Sequence, residues 1–295
     1  MTHITEHKRI HLIGIGGCSM SGLASILKNR GYYVQGSDRA ESPFTERLKE
    51  LGVPVFIGHD AKNIGDCDLI IFSAAIKSDN VERAEAKRRG IPELERSEAL
   101  GQLTEGYESV VGIAGCHGKT TITSMLALIC EQGGPDATVH IGGFVDFLNG
   151  GVRLGAHDMF ITEACEYVES FLTLRPTIAL INNIDNDHLD YYGDMEHIVA
   201  AFKKFAALLP ENGLLIGNTD DFRVRALMAE HTGRKLSYGM KDADYTPANI
   251  TYDDNGCPGF DIMFRGEKLM HIQLRIPGEH SVMNAIAAAA VAREI

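Results

Sequence analysis

Residues 110–126 read VVGIAGCHGKTTITSML, an apolar strand that runs through a glycine loop into a helix. In this stretch Gly118, Lys119 and Thr120 stand where the G-K-[ST] of a phosphate-binding loop stands. The strict pattern G-x-x-x-x-G-K-[ST] would need glycine at position 113, which is Ile113. Each of the three residues has a separate task on a triphosphate: close backbone approach, a point charge for the β and γ phosphates, and a hydroxyl for magnesium. The stretch therefore predicts a nucleoside triphosphate site in which the start of the loop departs from the strict pattern.

Apolar strands alternate with helical segments along most of the chain. The run DLIIFSAAI at 68–76 has no polar face, which is typical of a parallel strand buried on both sides. Alternation at this spacing predicts an α/β fold with doubly wound sheets and right-handed crossovers. From about residue 242 the pattern alternates around Asn255-Gly256, which predicts an antiparallel meander. The other predicted strands are 9–15, 33–38, 53–59, 110–115, 159–164, 177–184 and 213–218, and the predicted helices are 19–31, 45–52, 80–90, 120–134, 197–210 and 280–295.

The length of 295 residues predicts two domains. We place the first at residues 1–105, as a Rossmann-like domain, and the second at 106–295, as a P-loop α/β domain with the antiparallel β extension. The last helix is rich in alanine and carries no Gly, Asn or Pro to end it. We therefore expect a further segment to follow it.

Composition and charge narrow the class of protein. Hydrophobic residues make up 44%, and no apolar run reaches the roughly 18 residues of a membrane span, so we expect a soluble protein without membrane association. The net charge of −12 argues against a nucleic-acid partner, which normally needs a basic surface. The N-terminus has no signal-peptide pattern and the six cysteines form no C-x-x-C pair, so a cytoplasmic protein with reduced thiols is predicted.

A second glycine loop lies near the N-terminus. The segment Gly14-Ile-Gly16-Gly17-Cys-Ser19 follows a strand and opens a helix, where a pyrophosphate would meet free backbone N–H groups. The dinucleotide fingerprint would need glycine at position 19, which is a serine, although Asp38 is placed to bind a ribose hydroxyl. Three interpretations stay open: a nucleoside diphosphate site, a nicotinamide cofactor site, or a turn that only packs the helix on the strand.

Acidic and imidazole groups follow two predicted strands of the second domain. Glu163 and Glu166 follow the first, and Asp185, Asp187 and His188 follow the second. Because the carboxyl ends of parallel strands share one edge of a sheet, Glu163 and His188 can converge on the Thr120 hydroxyl. Hard oxygen ligands suit Mg²⁺, and an imidazole is a less usual addition. At least one of these acids is expected to be a solvated loop residue.

Several motifs in fixed order resemble the bacterial Mur ligase family. They are GIGGCSMSGLA, GSD, SAAI, AGCHGKTT, TEACEYVESFL, NNIDNDHLDYY and PGEHSVMNA, which together span nearly the whole chain. The family's loop is G-[TA]-x-G-K-[ST], with Gly115 as its leading glycine. Cys116, Cys165 and Ser281 stand where other small or polar residues are more usual, and we expect the ligand set to be intact.

The resemblance implies an activity. Its motifs look most like those of members that use ATP to join L-alanine to the lactyl carboxylate of UDP-N-acetylmuramate through an acyl phosphate, in peptidoglycan precursor synthesis. ATP and Mg²⁺ are the implied cofactors, and UDP-N-acetylmuramate and L-alanine are the implied partners. The oligomeric state is left open between a monomer and a dimer. Members of the family have a third domain that closes on ATP, so this chain is expected to bind the UDP-sugar, to bind ATP weakly and to turn over little by itself.

The resemblance also assigns residues to roles. Lys119, Glu163 and His188 would be catalytic, with Thr120, Glu163 and His188 as the metal ligands. The implied ATP-binding residues are Gly115, Cys116, His117, Gly118, Lys119, Thr120, Thr121, His280 and Asn284. The implied UDP-sugar-binding residues are Gly16, Gly17, Ser19, Met20, Ser21, Asp38, His59 and Ser73.

Other functions are compatible with parts of the pattern. A recycling ligase that adds a tripeptide is a related alternative, but such ligases typically carry an insertion for which the 25 positions from Glu163 to His188 leave no room. A non-catalytic UDP-sugar binding module would not need both metal ligands. An unrelated P-loop kinase would leave the N-terminal glycine loop unexplained.

Overall fold

The computed structural model describes residues 2–295, without the side chains of Ala156 and His157. It divides into two compact units, one made of residues 2–108 with 138–158 and the other of residues 109–137 with 159–295. Both have an α/β architecture, as predicted. Among residues 2–295, no helix combines the length and apolar character that crossing a membrane requires.

The first unit is built on a five-stranded parallel sheet in the order β3-β2-β1-β4-β5. In chain order its elements are β1 (Arg9–Ile13), α1 (Cys18–Asn29), β2 (Tyr33–Asp38), α2 (Pro43–Glu50), β3 (Val55–Ile57), β4 (Leu69–Phe72), α3 (Val81–Arg89), β5 (Glu93–Glu95) and α4 (Arg96–Thr104), with 3₁₀ turns at Ile4–Glu6 and Ala61–Ile64.

The central strands of this sheet are buried on both faces, as their unbroken apolar sequence predicts. Strand β1 pairs in parallel with β2 on one side and with β4 on the other. Ile10, Leu12 and Ile13 have no exposed surface. The strand order reverses between β1 and β4, so the crevice at their carboxyl ends is the place where such sheets bind ligands.

The remaining elements begin with the P-loop strand. In chain order they are β6 (Ser109–Ala114), α5 (Lys119–Glu131), β7 (Ala137–Val145), β8 (Gly150–Arg153), β9 (Ala156–Glu163), β10 (Ile178–Ile181), α6 (Leu189–Tyr192), α7 (Met195–Ala206), β11 (Leu214–Asn218), α8 (Phe222–Glu230), β12 (Arg234–Tyr238), β13 (Tyr245–Tyr252), β14 (Pro258–Phe264), β15 (Glu267–Gln273) and α9 (Glu279–Glu294), with 3₁₀ turns at Asp146–Leu148 and Tyr167–Thr173.

An antiparallel hairpin, β7–β8, belongs almost entirely to the first unit. It packs against α1, where a Cβ on Gly22 would lie 2.8 Å from the ring of His140. The predicted second domain, 106–295, placed this segment with the P-loop. The structure instead groups residues 138–158 with the N-terminal unit, because the hairpin makes its close contacts with α1.

The second unit places β6 between β10 and β9, all in parallel register. On the other side of β10 the sheet continues through β11, β12 and β13 to β14 and β15. The last three strands are antiparallel, which confirms the predicted meander. Helix α9 packs against α5 and is buried around most of its circumference, so small alanine side chains suit it.

Candidate functional site

The P-loop of the second unit joins β6 to α5 by way of two glycines with positive φ. Gly115 has φ +141° and Gly118 has φ +86°, and the latter caps α5 without a side-chain hydrogen bond. A Cβ on Gly118 would lie 2.5 Å from Asn182 Nδ2 and 2.7 Å from Asn284 Oδ1. Glycine is therefore required on both conformational and steric grounds, and the first-turn N–H groups of α5 lack intrahelical partners.

Two asparagines at the end of β10 hold this loop in shape. Asn182 Nδ2 donates to the carbonyl of His117 at 2.9 Å, and the N–H of His117 donates to Asn183 Oδ1 at 2.8 Å. Tyr238 donates its hydroxyl to Asn182 Oδ1 at 2.7 Å. The sequence pattern did not single out these contacts as part of the loop.

Lys119 is folded back over the loop onto a buried carboxylate. Its Nζ donates to the carbonyl of Gly115 at 2.6 Å and to Glu166 Oε2 at 2.8 Å. The Glu166 side chain is only 1% exposed, and that of Lys119 is 15% exposed. Breaking a buried ion pair from one side leaves an uncompensated charge, so the two residues are strongly coupled.

Glu166 is also the centre of a cluster of possible metal ligands. It lies with Asp187 and His188 such that one ligand atom from each is within 4.8 Å of the others. His188 Nε2 is 3.8 Å from Glu166 Oε1, and His188 Nδ1 is 3.7 Å from Asp187 Oδ1. From the sequence Glu166 could not be told from a solvated loop acid, and the structure shows that it is buried.

The backbone around this cluster is strained. Val168, Glu169 and His188 all have positive φ, at +48°, +56° and +53°. A β-branched residue such as valine rarely adopts this conformation, and such strain costs on the order of 1–3 kcal/mol. Tyr192 holds the segment by donating its hydroxyl to the carbonyl of Glu166.

The other predicted residues of this unit lie around the loop. Thr120 is exposed and Thr121 half-buried in the first turn of α5, while Glu163 is half-buried at the end of β9. Asn284 is buried beside Gly118, so α9 does bring it to the P-loop. His280 is exposed at the start of the same helix.

Cys116 is buried within the loop. Its thiol contacts both the carbonyl and the N–H of Asp185, at 3.3 and 3.2 Å. Burial raises the pKa of Cys116 to about 11. The thiol is therefore protonated at neutral pH and packs as a small side chain.

The glycine loop of the first unit is organised by a carboxylate. Asp38, which ends β2, accepts from the N–H of Gly16 at 2.8 Å. A Cβ on Gly16 would lie 2.9 Å from this carboxylate and 2.7 Å from Thr45 Cγ2. Gly17 caps α1 without a side-chain hydrogen bond, which leaves first-turn N–H groups available to an anion.

The first turn of α1 offers two partly accessible side chains, those of Cys18 and Ser19. Met20 and Ser21 are buried, so only their backbone N–H groups could contact a ligand. Ser19 is half-buried, and its Oγ lies 3.2 Å from His140 Nε2 and accepts from Arg96 Nη1 at 3.3 Å. Arg96 supplies a positive charge near this loop that the sequence pattern did not indicate.

The other residues predicted for the UDP-sugar follow strands of the same sheet. His59 comes two residues after β3, with Nδ1 3.2 Å from Ser37 Oγ, and Ser73 directly follows β4. Asp38, His59 and Ser73 therefore share the carboxyl edge of the sheet with the glycine loop.

Two protein-family descriptions match successive parts of this chain. Residues 9–108 match the description "Mur ligase family, catalytic domain", and residues 113–292 match "Mur ligase middle domain". The UDP-N-acetylmuramate–L-alanine ligase of Alkaliphilus metalliredigens is 46% identical over 291 residues, which are 98% of this chain and 63% of the relative.

Two solved structures are similar along nearly the whole chain. The UDP-N-acetylmuramate-alanine ligase of Thermotoga maritima has 29% identity and a TM-score of 0.84, over 98% of this chain and 65% of that one. The UDP-N-acetylmuramate:L-alanyl-γ-D-glutamyl-meso-diaminopimelate ligase of Neisseria meningitides has 28% identity and a TM-score of 0.85, over 97% and 93%.

Proposed function

Because the chain belongs to the Mur ligase family, we propose that it takes part in the ATP-dependent joining of L-alanine to the lactyl carboxylate of UDP-N-acetylmuramate. The observation that carries this proposal is the placement of Lys119 in a P-loop, 2.8 Å from the buried Glu166 and at the same site as His188. The 46% identity to an L-alanine ligase supports the choice of amino acid, although this chain spans 63% of that relative's length.

The proposed reaction forms and consumes an acyl phosphate. A carboxylate oxygen of the UDP-sugar attacks the γ-phosphorus of ATP, and ADP leaves with the bridging oxygen. The amine of L-alanine then attacks the acyl carbon, phosphate leaves, and the amine gives up a proton as the amide forms. Phosphoryl transfer of this kind depends mainly on positioning and on neutralising charge.

Lys119 is the residue that we assign to this neutralisation. Its ammonium is held by the carbonyl of Gly115 and by Glu166. Phosphate oxygens would take the place of the carbonyl, while Glu166 keeps the side chain aimed across the loop. The N–H groups of Gly118 and the first turn of α5 would cradle the same phosphates.

The donors at this site fit magnesium. Glu166 and Asp187 offer carboxylate oxygens and His188 a ring nitrogen. Thr120 and Glu163, the ligands expected from the sequence with His188, would complete an oxygen-rich set of the kind that Mg²⁺ prefers. When bound, Mg²⁺ would supply charge neutralisation for the phosphate oxygens.

The first unit is proposed to hold the UDP part of the substrate. The free N–H groups at the start of α1 and the guanidinium of Arg96 suit its diphosphate, and Asp38 and His59 lie at the edge where the nucleoside would fit. A cytoplasmic location, where UDP-sugars and ATP are both available, stays a prediction.

A ligase that joins a tripeptide to UDP-N-acetylmuramate is the second candidate, because the Neisseria ligase has a TM-score of 0.85 over 93% of its own length. The two functions differ in the group that is joined. Phosphate release should therefore be measured with ATP, Mg²⁺, UDP-N-acetylmuramate and a panel of amino acids and peptides. Binding of each ligand by calorimetry should be measured in parallel.

We expect binding of UDP-N-acetylmuramate and of Mg·ATP, and phosphate release that is greatest with L-alanine. Release with L-alanyl-γ-D-glutamyl-meso-diaminopimelate but not with L-alanine would favour the second candidate. Binding of NAD in competition with UDP would contradict both.

A further inference from the structure

Three buried polar side chains connect a distant strand and the last helix of the second unit to its P-loop. We call Tyr238, Asn182 and Asn284 the Tyr238 cluster. Tyr238 ends β12, Asn182 directly follows β10, and Asn284 lies in the second turn of α9. Tyr238 has no exposed surface, and the two asparagines are each 5% exposed. Polar groups buried to this extent are expected to be hydrogen-bonded to one another.

The orientation of the Asn182 amide follows from its neighbour in the P-loop. The carbonyl oxygen of His117 lies 2.9 Å from Asn182 Nδ2. A carbonyl oxygen only accepts hydrogen bonds, and so does the amide oxygen Oδ1, so the group that faces His117 must be the nitrogen. The opposite orientation would place two acceptor oxygens in contact.

The orientation of Asn182 determines the roles of its two other neighbours. Its Oδ1 faces the Tyr238 hydroxyl at 2.7 Å, so the hydroxyl donates. Its Nδ2 also lies 3.4 Å from Asn284, which must present its oxygen Oδ1 to this donor. The Asn284 Nδ2 therefore points away from Asn182 and keeps its two hydrogens for another acceptor. One hydroxyl thus fixes the direction of two amides in succession.

The two asparagines lie directly against the P-loop. A Cβ on Gly118 would be 2.5 Å from Asn182 Nδ2 and 2.7 Å from Asn284 Oδ1. Asn183 contacts the loop as well, since it accepts from the N–H of His117 at 2.8 Å and donates to its carbonyl at 3.0 Å. Asn183 holds His117 alone, whereas Asn182 joins the same carbonyl to β12 and α9.

The Tyr238 hydroxyl keeps the Asn182 amide in this orientation. Because Asn182 is buried, removing the hydroxyl would take a hydrogen bond from Oδ1 at a site that water does not readily replace. The amide would have to turn to find another donor, and turning would break its contacts with His117 and Asn284. The hydroxyl can therefore influence the nucleotide site although Tyr238 is too buried to touch a ligand.

We infer that Tyr238 is a positioning residue for ATP, which acts by fixing the amide of Asn182. The oriented amide sets the carbonyl of His117 in the P-loop and the amide of Asn284 on α9. The inference rests on the proposed function, because it requires that ATP binds at this loop. Since the contribution of Tyr238 passes through one hydrogen bond, it should disappear when Asn182 is removed.

The first test compares two buried tyrosines that each lose one hydroxyl. Tyr245 pairs with Tyr238 in the register of β12 and β13 and has no exposed surface, but its hydroxyl accepts from Arg293 near the end of α9, at 3.4 Å. Tyr238→Phe should weaken calorimetric binding of Mg·ATP by about tenfold, the scale of one lost buried hydrogen bond. Tyr245→Phe should leave the affinity for ATP unchanged. Urea unfolding of both variants measures their stability separately.

A double-mutant cycle tests the route through Asn182. Asn182→Ala should weaken ATP binding at least as much as Tyr238→Phe does. Adding Tyr238→Phe to Asn182→Ala should cause little further loss, because the hydroxyl then has no amide to fix. Binding of UDP-N-acetylmuramate, which the proposed function places in the first unit, should be unchanged in every variant and controls for damage to the fold.

Unchanged ATP affinity in Tyr238→Phe, or an equal loss in Tyr238→Phe and Tyr245→Phe, would overturn the inference and leave the proposed function standing. A full additional loss when Tyr238→Phe is combined with Asn182→Ala would also overturn it, because Tyr238 would then act by another route. If Asn182→Ala does not fold, the comparison of the two tyrosine variants still decides. Failure of the unsubstituted chain to bind Mg·ATP would overturn the proposed function together with the inference.

Discussion

The two glycine loops of this chain solve related problems with different chemistry. The loop of the first unit is braced by a carboxylate, since Asp38 accepts from the N–H of Gly16, and it contributes no cationic side chain of its own. The loop of the second unit carries Lys119, which is held on the buried Glu166 beside further metal-ligating groups. Both open a helix whose first N–H groups are free.

The difference indicates a division of tasks. A diphosphate that only needs to be held can be bound by backbone N–H groups and the helix dipole. A phosphoryl group that is transferred needs positive charge that neutralises its oxygens during the transfer, and a lysine and a metal site can supply that charge.

The largest effect is expected at Lys119. Lys119→Ala should reduce ATP-dependent phosphate release by at least roughly a thousandfold, because the charge on the phosphates is lost. It should also destabilise the chain by about 3–5 kcal/mol, because Glu166 is left buried and unpaired. Lys119→Met with Glu166→Gln should recover most of the stability in urea unfolding without recovering ATP binding. Recovery of ATP binding in that double variant would show that the ammonium is not needed.

A pH effect on stability is expected from the hairpin that supports the first loop. Burial lowers the pKa of His140 to about 4, against 6.5 for an ordinary histidine. Between about pH 4 and pH 6.5, His140 binds a proton in the unfolded chain but not in the folded chain. Stability is therefore full above about pH 6.5 and falls toward pH 4, by about 3 kcal/mol in total.

Urea unfolding at pH 7 and pH 5 measures this effect. His140→Asn should flatten the dependence on pH, whatever its effect at pH 7. An unchanged slope in that variant would mean that His140 is not buried as a neutral ring against α1.

Cys116 in the second loop and Cys18 beside the first loop should react with iodoacetamide at different rates. Cys116 in the second loop is buried, and burial raises its pKa to about 11, whereas Cys18 at the start of α1 is half-buried. At pH 8 iodoacetamide should label Cys116 roughly a hundredfold more slowly than in the urea-unfolded chain, because the thiolate fraction is reduced. Mass spectrometry resolves the two sites. Equal labelling of Cys116 in the native and unfolded chains would contradict its packing role.

A smaller effect is expected from glycine geometry. Gly118→Ala and Gly133→Ala both place a side chain at positive φ, but only the former meets other atoms, Asn182 Nδ2 at 2.5 Å and Asn284 Oδ1 at 2.7 Å. Each should cost about 1 kcal/mol or more of stability. Only Gly118→Ala should also weaken ATP binding, by about tenfold. An equal loss of ATP affinity in both variants would mean that the asparagine contacts do not shape the loop.

The sequence was most informative where a pattern is local. Strand–helix alternation predicted the α/β fold, and Asn255-Gly256 predicted the meander, because both depend on neighbouring residues. The hairpin β7–β8 was missed because its glycine-rich sequence alternates poorly and its place depends on packing against Gly22 of α1. The same holds for Glu166: only the folded chain shows that this acid, and not a neighbouring one, is buried on Lys119.

The division of tasks between the loops is tested most directly by titrating UDP-N-acetylmuramate and Mg·ATP into the unsubstituted chain, Asp38→Asn, and Lys119→Met with Glu166→Gln. Asp38→Asn removes the charge that braces the first loop, and the double variant removes the ion pair of the second. We predict that Asp38→Asn weakens only the binding of the UDP-sugar and that the double variant weakens only the binding of ATP. Each loss should be about tenfold or more, as expected for a lost hydrogen bond to a charged group. Loss of both ligands in either variant, or loss of the opposite ligand, would contradict this division of tasks.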